Sequence, residues 1–178
     1  MSKPRFWVLF CMILAAAASR LIPHPPNAAS IAAVALFGGA YLSDKRLAFL
    51  VPLAALFLSD LVLGLYSHME VVYGSFALVV CIGLLLRRHR TPLAIGGAAL
   101  ASSILFFVIT NFGVWFFGSL YPRTTAGLVA CYVAAIPFFQ NTLLGDGLYT
   151  VALFGGFALA ERWWPALRET SPARPQSA

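Results

Sequence analysis

The chain has 178 residues, of which 61% are apolar, 14% aromatic and 10% charged. A soluble domain is usually about 45–50% apolar and about 25% charged, so this composition excludes a soluble globular domain and indicates an integral membrane protein. The net charge is +6, but the basic residues lie in short runs between long apolar stretches, which argues against nucleic-acid binding. The three cysteines form no CxxC pair, which excludes a disulfide framework and a thiolate metal cage.

Long apolar runs predict an all-α membrane protein with six transmembrane helices, because a helical span needs about 20 apolar residues. The six runs are residues 6–22, 28–42, 47–66, 69–86, 92–118 and 138–163. The second run covers only about 22 Å at helical rise, so we expect its neighbours to shelter it. Residues 119–136 are expected to form an outer connection with a helix that lies at the membrane interface or dips into it.

The distribution of basic residues predicts the orientation. A cytoplasmic N-terminus puts ten Lys and Arg residues inside and leaves only Arg20 and Arg123 outside, as the positive-inside rule requires. Both termini are therefore expected in the cytoplasm, with outer loops at residues 23–27, 67–70 and 119–136. A single domain is predicted over residues 1–168, followed by a disordered cytoplasmic tail over residues 169–178, which is rich in Pro, Ser and Arg.

The start of the chain allows a second interpretation. Lys3 and Arg5 precede an apolar run that ends in four alanines and Ser19, a pattern typical of a secretory signal peptide with a small-residue cleavage site. Cleavage there would leave five spans with the same orientation.

Polar residues inside the predicted spans lie at one depth. Asp60, Asn111 and Asp146 each fall about 9–12 Å below the outer surface at helical rise. The inner halves of the spans are nearly free of polar residues, which indicates an outward-facing polar pocket above an apolar floor. The alternative is that both aspartates only hold helices together, by pairing with a helix N-terminus or with Arg20.

Cys81 lies about 18 Å below Met69 at helical rise, near or below the middle of the membrane. A single cysteine in an apolar helix is in most proteins a small core residue. A bound soft metal would change that role, because metal coordination favours the thiolate. The residues alone leave both roles open.

Four segments carry a resemblance to a family of small bacterial inner-membrane proteins. They read RLIPHPPN at residues 20–27, ALFGGAY at 35–41, NFGVW at 111–115 and PFFQNTLLGD at 137–146. The cysteine that follows YGSF at residues 73–76 is similar to that of the BtuM-type cobalamin transporters. Those transporters are solitary relatives of the S-components of energy-coupling-factor vitamin transporters.

The resemblance implies a six-helix S-component-like bundle that takes up vitamin B12 (cobalamin) across the bacterial inner membrane. It assigns Cys81 as the ligand of the corrinoid cobalt and as the catalytic residue of a decyanation of cyanocobalamin, a role suited to a soft thiolate donor. Depth and loop position give the expected contacts to the corrin amides: His24, Asp60, Tyr66, His68, Tyr73, Asn111, Tyr121 and Asp146.

The expected partners are cobalamin as bound substrate and the lipid bilayer, while docking on an energy-coupling module stays open. No Walker motif is present, so no ATP site is expected in this chain. Two alternatives remain. The chain could take up another small vitamin or precursor, with Cys81 as a packing residue, or it could be a membrane scaffold that transports nothing.

Overall fold

The computed structural model describes residues 2–23, 25, 27–28 and 31–169, and these residues form an all-helical bundle. The predicted all-α class is therefore confirmed. The helices are α1 Lys3–Ala18, α2 Ile31–Tyr41, α3 Lys45–Leu63, α4 Met69–Leu86, α5 Pro92–Phe117, α6 Thr125–Thr150 and α7 Gly156–Trp163. Short 3-10 turns follow α1 and α7, at Ser19–Leu21 and Pro165–Leu167, and a π-helical turn, Val151–Gly155, joins α6 to α7.

Capping residues mark where three of the helices begin. The Asp44 carboxylate accepts a hydrogen bond from the Arg46 backbone N–H at 2.6 Å and so caps α3. Thr91 caps α5 in the same way, with a proline at the first helical position. Thr124 caps α6 by accepting from the Gly127 N–H at 3.1 Å. Each side-chain oxygen satisfies a backbone donor that has no partner within its helix.

The short helix α2 forms the centre of the bundle. All of its eleven residues are buried, and it packs mainly against α4 and also against α1, α3, α5 and α6. At 1.5 Å per residue it is about 16 Å long, too short to cross a hydrocarbon core of about 30 Å by itself. Its predicted shelter by neighbouring helices is confirmed, and five other helical stretches are long and apolar enough to cross a membrane.

The predicted boundary between an outer connection over residues 119–136 and a sixth span from residue 138 is wrong. Helix α6 begins at Thr125, continues through Pro137, and packs along α5. The Tyr132 hydroxyl donates to the Val108 carbonyl at 2.7 Å, and the Cys131 thiol lies 3.5 Å from the Asn111 carbonyl. The helical stretch Thr125–Trp163 has 39 residues, or about 58 Å at helical rise, which exceeds the thickness of a bilayer of about 40–45 Å.

Buried Arg5 ties the start of α1 to the chain after α7. Its guanidinium pairs with Glu161 at 2.5 Å and with Glu169 at 3.2 Å, and it also donates to the Leu167 carbonyl. The side chain is 1% exposed and lies 5.0 Å from the centre of the Phe157 ring. The first and last helices therefore meet at one end of the bundle, which we call the termini end; the opposite end is the cavity end.

Helix α1 is an integral part of this bundle. Leu9 and Ile13 are fully buried in the core. Of the predicted tail, only Glu169 lies within the described residues, and it accepts hydrogen bonds from Arg5 and Arg90. Residues 170–178 lie outside the described part of the chain.

Candidate functional site

A cavity of about 270 Å³, lined by both apolar and polar side chains, lies at the cavity end of the bundle. We call it the Asp146 cavity, and its lining residues are Arg20, Asn27, Ile31, Ala32, Leu56, Tyr66, Val72, Phe76, Phe106, Thr142 and Asp146. A second cavity of about 240 Å³ shares Asn27, Val72, Phe106 and Thr142 with it. A third, of about 170 Å³, shares Tyr66 and Val72. The three adjoining cavities are lined by residues from the loops and from each of the helices α2 to α6.

Asp146 is the buried carboxylate of the cavity wall. It is 3% exposed and accepts one hydrogen bond, from the Ser103 hydroxyl of α5 at 2.6 Å. Among the described residues, none of the ion pairs involves Asp146. A carboxylate can accept several hydrogen bonds, so Asp146 has acceptor capacity left for a further donor or a cation.

Arg20 enters the same cavity with its charge already matched. Its guanidinium lies 2.8 Å from one Asp60 oxygen and also donates to the Ser59 hydroxyl. The other Asp60 oxygen accepts from the Tyr73 hydroxyl at 2.8 Å. Asp60 is 1% exposed and stands behind Arg20 rather than in the cavity lining. The Arg20–Asp60 pair is electrically neutral, whereas Asp146 lines the cavity without an ion pair among the described residues.

Tyr66 forms part of the cavity wall from the loop between α3 and α4. Gly64, with a φ of +104°, turns the chain out of α3, a conformation that residues with a side chain rarely adopt. Burial of the ring and the nearby Asp60 carboxylate raise the pKa of Tyr66 to about 12. Its phenol is therefore protonated at neutral pH and can donate a hydrogen bond.

His68 and Asn111 line the adjoining cavities. His68 adopts the left-handed conformation with a φ of +62° immediately before α4, and its ring stacks on Phe117 at 5.2 Å. Its Nδ1 lies 3.3 Å from a Glu70 oxygen. The Asn111 side-chain nitrogen donates to the Phe107 carbonyl of its own helix at 2.7 Å, so part of its hydrogen-bonding capacity is already used.

Four of the predicted site residues line none of the three cavities: Asp60, Tyr73, Cys81 and Tyr121. Asp60 and Tyr73 bond to each other behind the lining. Cys81 is exposed on α4. Tyr121, in the turn between α5 and α6, is half-buried. His24 lies outside the described residues.

The sequence matches a known protein family. The sequence model of DUF6580, a family of unknown function, matches residues 1–167. The chain belongs to the DUF6580 family. No curated protein and no solved structure matches it. The DUF6580 match spans helices α1–α7 and every residue that lines the Asp146 cavity.

Sequence reasoning missed several polar residues at the cavity of this DUF6580 protein. Ser103 was not predicted as a site residue, yet it is 1% exposed and supplies the hydrogen bond to Asp146. The available signal was the pair Ser102 and Ser103 in the middle of the apolar helix α5, because polar residues within a span usually face a partner or a cavity. Arg20, Asn27 and Thr142 also line the cavity and are not among the predicted contacts.

Proposed function

We propose that this DUF6580 protein captures a small solute in the Asp146 cavity and serves its uptake across a membrane. The observation that carries the proposal is Asp146, a buried carboxylate in a cavity wall with one hydrogen bond and no ion pair among the described residues. An ionisable residue inside a membrane indicates a functional site by default. The favoured ligand carries a cationic or hydrogen-bond-donating group, which would complete the pairing of Asp146.

The size and walls of the cavity favour a small ligand with a planar apolar part. Its volume of about 270 Å³ lies just below the range of about 300–1,000 Å³ that is typical of drug-sized ligands. The Phe76 and Phe106 rings stack at 4.9 Å within the wall and offer an aromatic surface. The adjoining cavities leave room for a ligand longer than the Asp146 cavity alone.

Charge supports capture from the outer side. The described Lys and Arg residues at the termini end are Lys3, Arg5, Lys45, Arg46, Arg87, Arg88, Arg90, Arg162 and Arg168, against Arg20 and Arg123 at the cavity end. The positive-inside rule then makes the termini end cytoplasmic. The resemblance to the BtuM-type transporters adds the bacterial inner membrane to this proposal. The apolar residues of buried α2 would form the floor of the cavity beneath the solute.

Cobalamin stays the more specific ligand that the BtuM-type resemblance predicts. Its thiolate ligand would have to be Cys81, which lies outside the lining of the cavity. A spectral titration with cobalamin decides this assignment. Cobalt absorption bands that are the same in wild type and Cys81→Ala would remove the thiolate role, and bands that change would support it. Because Cys81 is exposed, its replacement should alter the free energy of unfolding by less than about 0.5 kcal/mol.

Replacement of Asp146 by Asn tests the proposed function. We expect the purified protein to bind a cationic vitamin such as thiamine more tightly than neutral pyridoxine or anionic nicotinate. Asp146→Asn should weaken binding of the cation about 100-fold, since removing one partner of a buried charge pair costs about 2–5 kcal/mol. Isothermal titration calorimetry in detergent measures all three affinities.

Glu70→Gln is the matched control, because Glu70 is a carboxylate near the same end whose side chain is 69% exposed. Its affinity for the cation should equal that of the wild type. Equal affinities of Asp146→Asn and wild type would contradict the role of Asp146. Absence of saturable binding of any of the three probes to the wild type would favour the scaffold alternative.

A further inference from the structure

Another cavity, mainly apolar and of about 350 Å³, lies at the termini end, between the start of α5 and the junction of α6 with α7. We call it the Arg90 groove, and its lining residues are Tyr41, Arg90, Pro92, Ile95, Gly96, Thr150, Val151, Phe154, Gly155 and Ala158. Val151 in this lining is 73% exposed. The groove therefore opens on the outer surface of the bundle, where lipid surrounds a membrane-spanning helix.

Thr150 is an unpartnered polar group in the lining of this groove. It is 5% exposed, and within the described part of the chain its hydroxyl has no hydrogen-bond partner. A threonine inside a helix commonly bonds a carbonyl of the preceding turn. Thr150 stands directly before the π-helical turn Val151–Gly155, and such interruptions occur frequently at functional sites. A ligand that supplied an acceptor would complete the hydrogen bonding of the Thr150 hydroxyl.

The groove lies beside an excess of positive charge. Arg90 stacks 4.6 Å from the centre of the Tyr41 ring and pairs with Glu169 at 3.0 Å. Arg5 and Arg90 form ion pairs with Glu161 and Glu169. Arg87, whose backbone carbonyl accepts from Arg90, donates to three backbone carbonyls and has no ion pair among the described residues. An anionic group at the mouth of the groove would complement its positive charge.

Two glycines keep the groove unfilled. A Cβ atom added at Gly96 or Gly155 would meet no atom within 4 Å. Their lack of side chains leaves an apolar trough beside Ile95 and Phe154 that suits a hydrocarbon chain.

We infer that the Arg90 groove binds an anionic glycerophospholipid of the cytoplasmic leaflet. The phosphate lies near Arg90, one acyl chain runs along the glycines and Phe154, and the Thr150 hydroxyl donates to an ester carbonyl. Basic pockets between helices on the cytoplasmic side are suited to such headgroups. The positive charge of the termini end agrees with that side of the membrane.

Native mass spectrometry of the detergent-purified full chain tests the inference. Phosphatidylglycerol and phosphatidylcholine with identical acyl chains are added in equal amounts, and retained lipid is counted. We expect wild type to retain the anionic lipid preferentially. Arg90→Gln should lower its retention about fivefold, because one basic residue near the membrane surface is worth about 1 kcal/mol.

Gly96→Leu fills the groove without changing the charge and should abolish the retention. Gly97→Leu is the matched control, since Gly97 is the next residue of α5, also has open space around it and does not line the groove. It should retain lipid like the wild type. Equal retention of the two lipids by wild type, or equal retention by the two glycine variants, would overturn the inference. Displacement of the lipid by millimolar inorganic phosphate would overturn it as well.

Discussion

Replacing Asp60 by Ala is expected to lower the free energy of unfolding by about 3–5 kcal/mol, because it leaves a buried cation without its partner. The Arg20 guanidinium, 14% exposed, would lose the ion pair at 2.8 Å and keep only its hydrogen bond to Ser59. The Tyr73 hydroxyl would lose its acceptor in the same step. One substitution therefore removes the Asp60 contacts that join α3 to the turn after α1 and to α4.

Thermal unfolding in detergent measures this loss, and two further variants define its cause. Glu70→Ala removes a carboxylate whose ion pair with His68 is exposed, and it should change stability by no more than about 0.5 kcal/mol. The double variant Arg20→Met with Asp60→Leu removes both charges and should recover much of the loss, because apolar replacement of a buried pair is often neutral. Wild-type stability of Asp60→Ala would show that the pair contributes nothing.

The two intramembrane aspartates thus separate into different roles. Asp60 is saturated by Arg20 and Tyr73, so it fits the alternative in which a carboxylate holds helices together. Asp146 has one protein donor and lines the cavity. Asp146→Asn keeps an acceptor for Ser103 and should unfold at about the wild-type temperature, whereas Asp60→Ala should unfold at a lower temperature. A ligand-binding role and a structural role therefore predict opposite outcomes at two residues that the sequence places at one depth.

Helix positions followed well from the sequence where turn residues and charges bound an apolar run. The predicted span 69–86 coincides with α4, and the predicted span 92–118 ends one residue beyond α5. The predicted sixth span begins at residue 138, directly after Pro137, whereas α6 begins at Thr125 and continues through this proline. In a membrane protein a proline is tolerated inside a helix when neighbouring groups satisfy the backbone, and the first half of α6 lies against α5.

The site was predictable in depth but not in direction around each helix. Polar depth brought Asp146, Tyr66 and Asn111 to the cavity end, as the structure shows. The depth of Cys81 in the predicted span agrees with a place beneath the pocket. The side of the helix on which its side chain lies is set by the 3.6 residues of each helical turn. Five residues after Phe76, Cys81 points about 140° away from that lining residue. The choice of Asp60 rather than Asp146 as the partner of Arg20 likewise depends on how helices pack.

Replacing Gly83 by Ala is expected to destabilise the contact between α2 and α4. A Cβ at Gly83 would overlap the Leu36 carbonyl oxygen and lie 2.8 Å from the Gly39 Cα. Both obstacles are backbone atoms of a fully buried helix, so no side chain can rotate away. Small residues allow this close approach of membrane helices. The free energy of unfolding should fall by the upper end of the about 1–3 kcal/mol typical of overpacking, or more.

Gly74→Ala provides the matched control within the same helix. A Cβ there meets no atom within 4 Å, so the variant should be neutral or gain up to about 1 kcal/mol from the higher helix propensity of alanine. The two identical substitutions in α4 should therefore differ by about 2–4 kcal/mol in thermal or denaturant unfolding. Equal stabilities would mean that α2 and α4 can move apart without cost. In that case the central position of α2, and the floor it provides under the Asp146 cavity, would not depend on the Gly39–Gly83 contact.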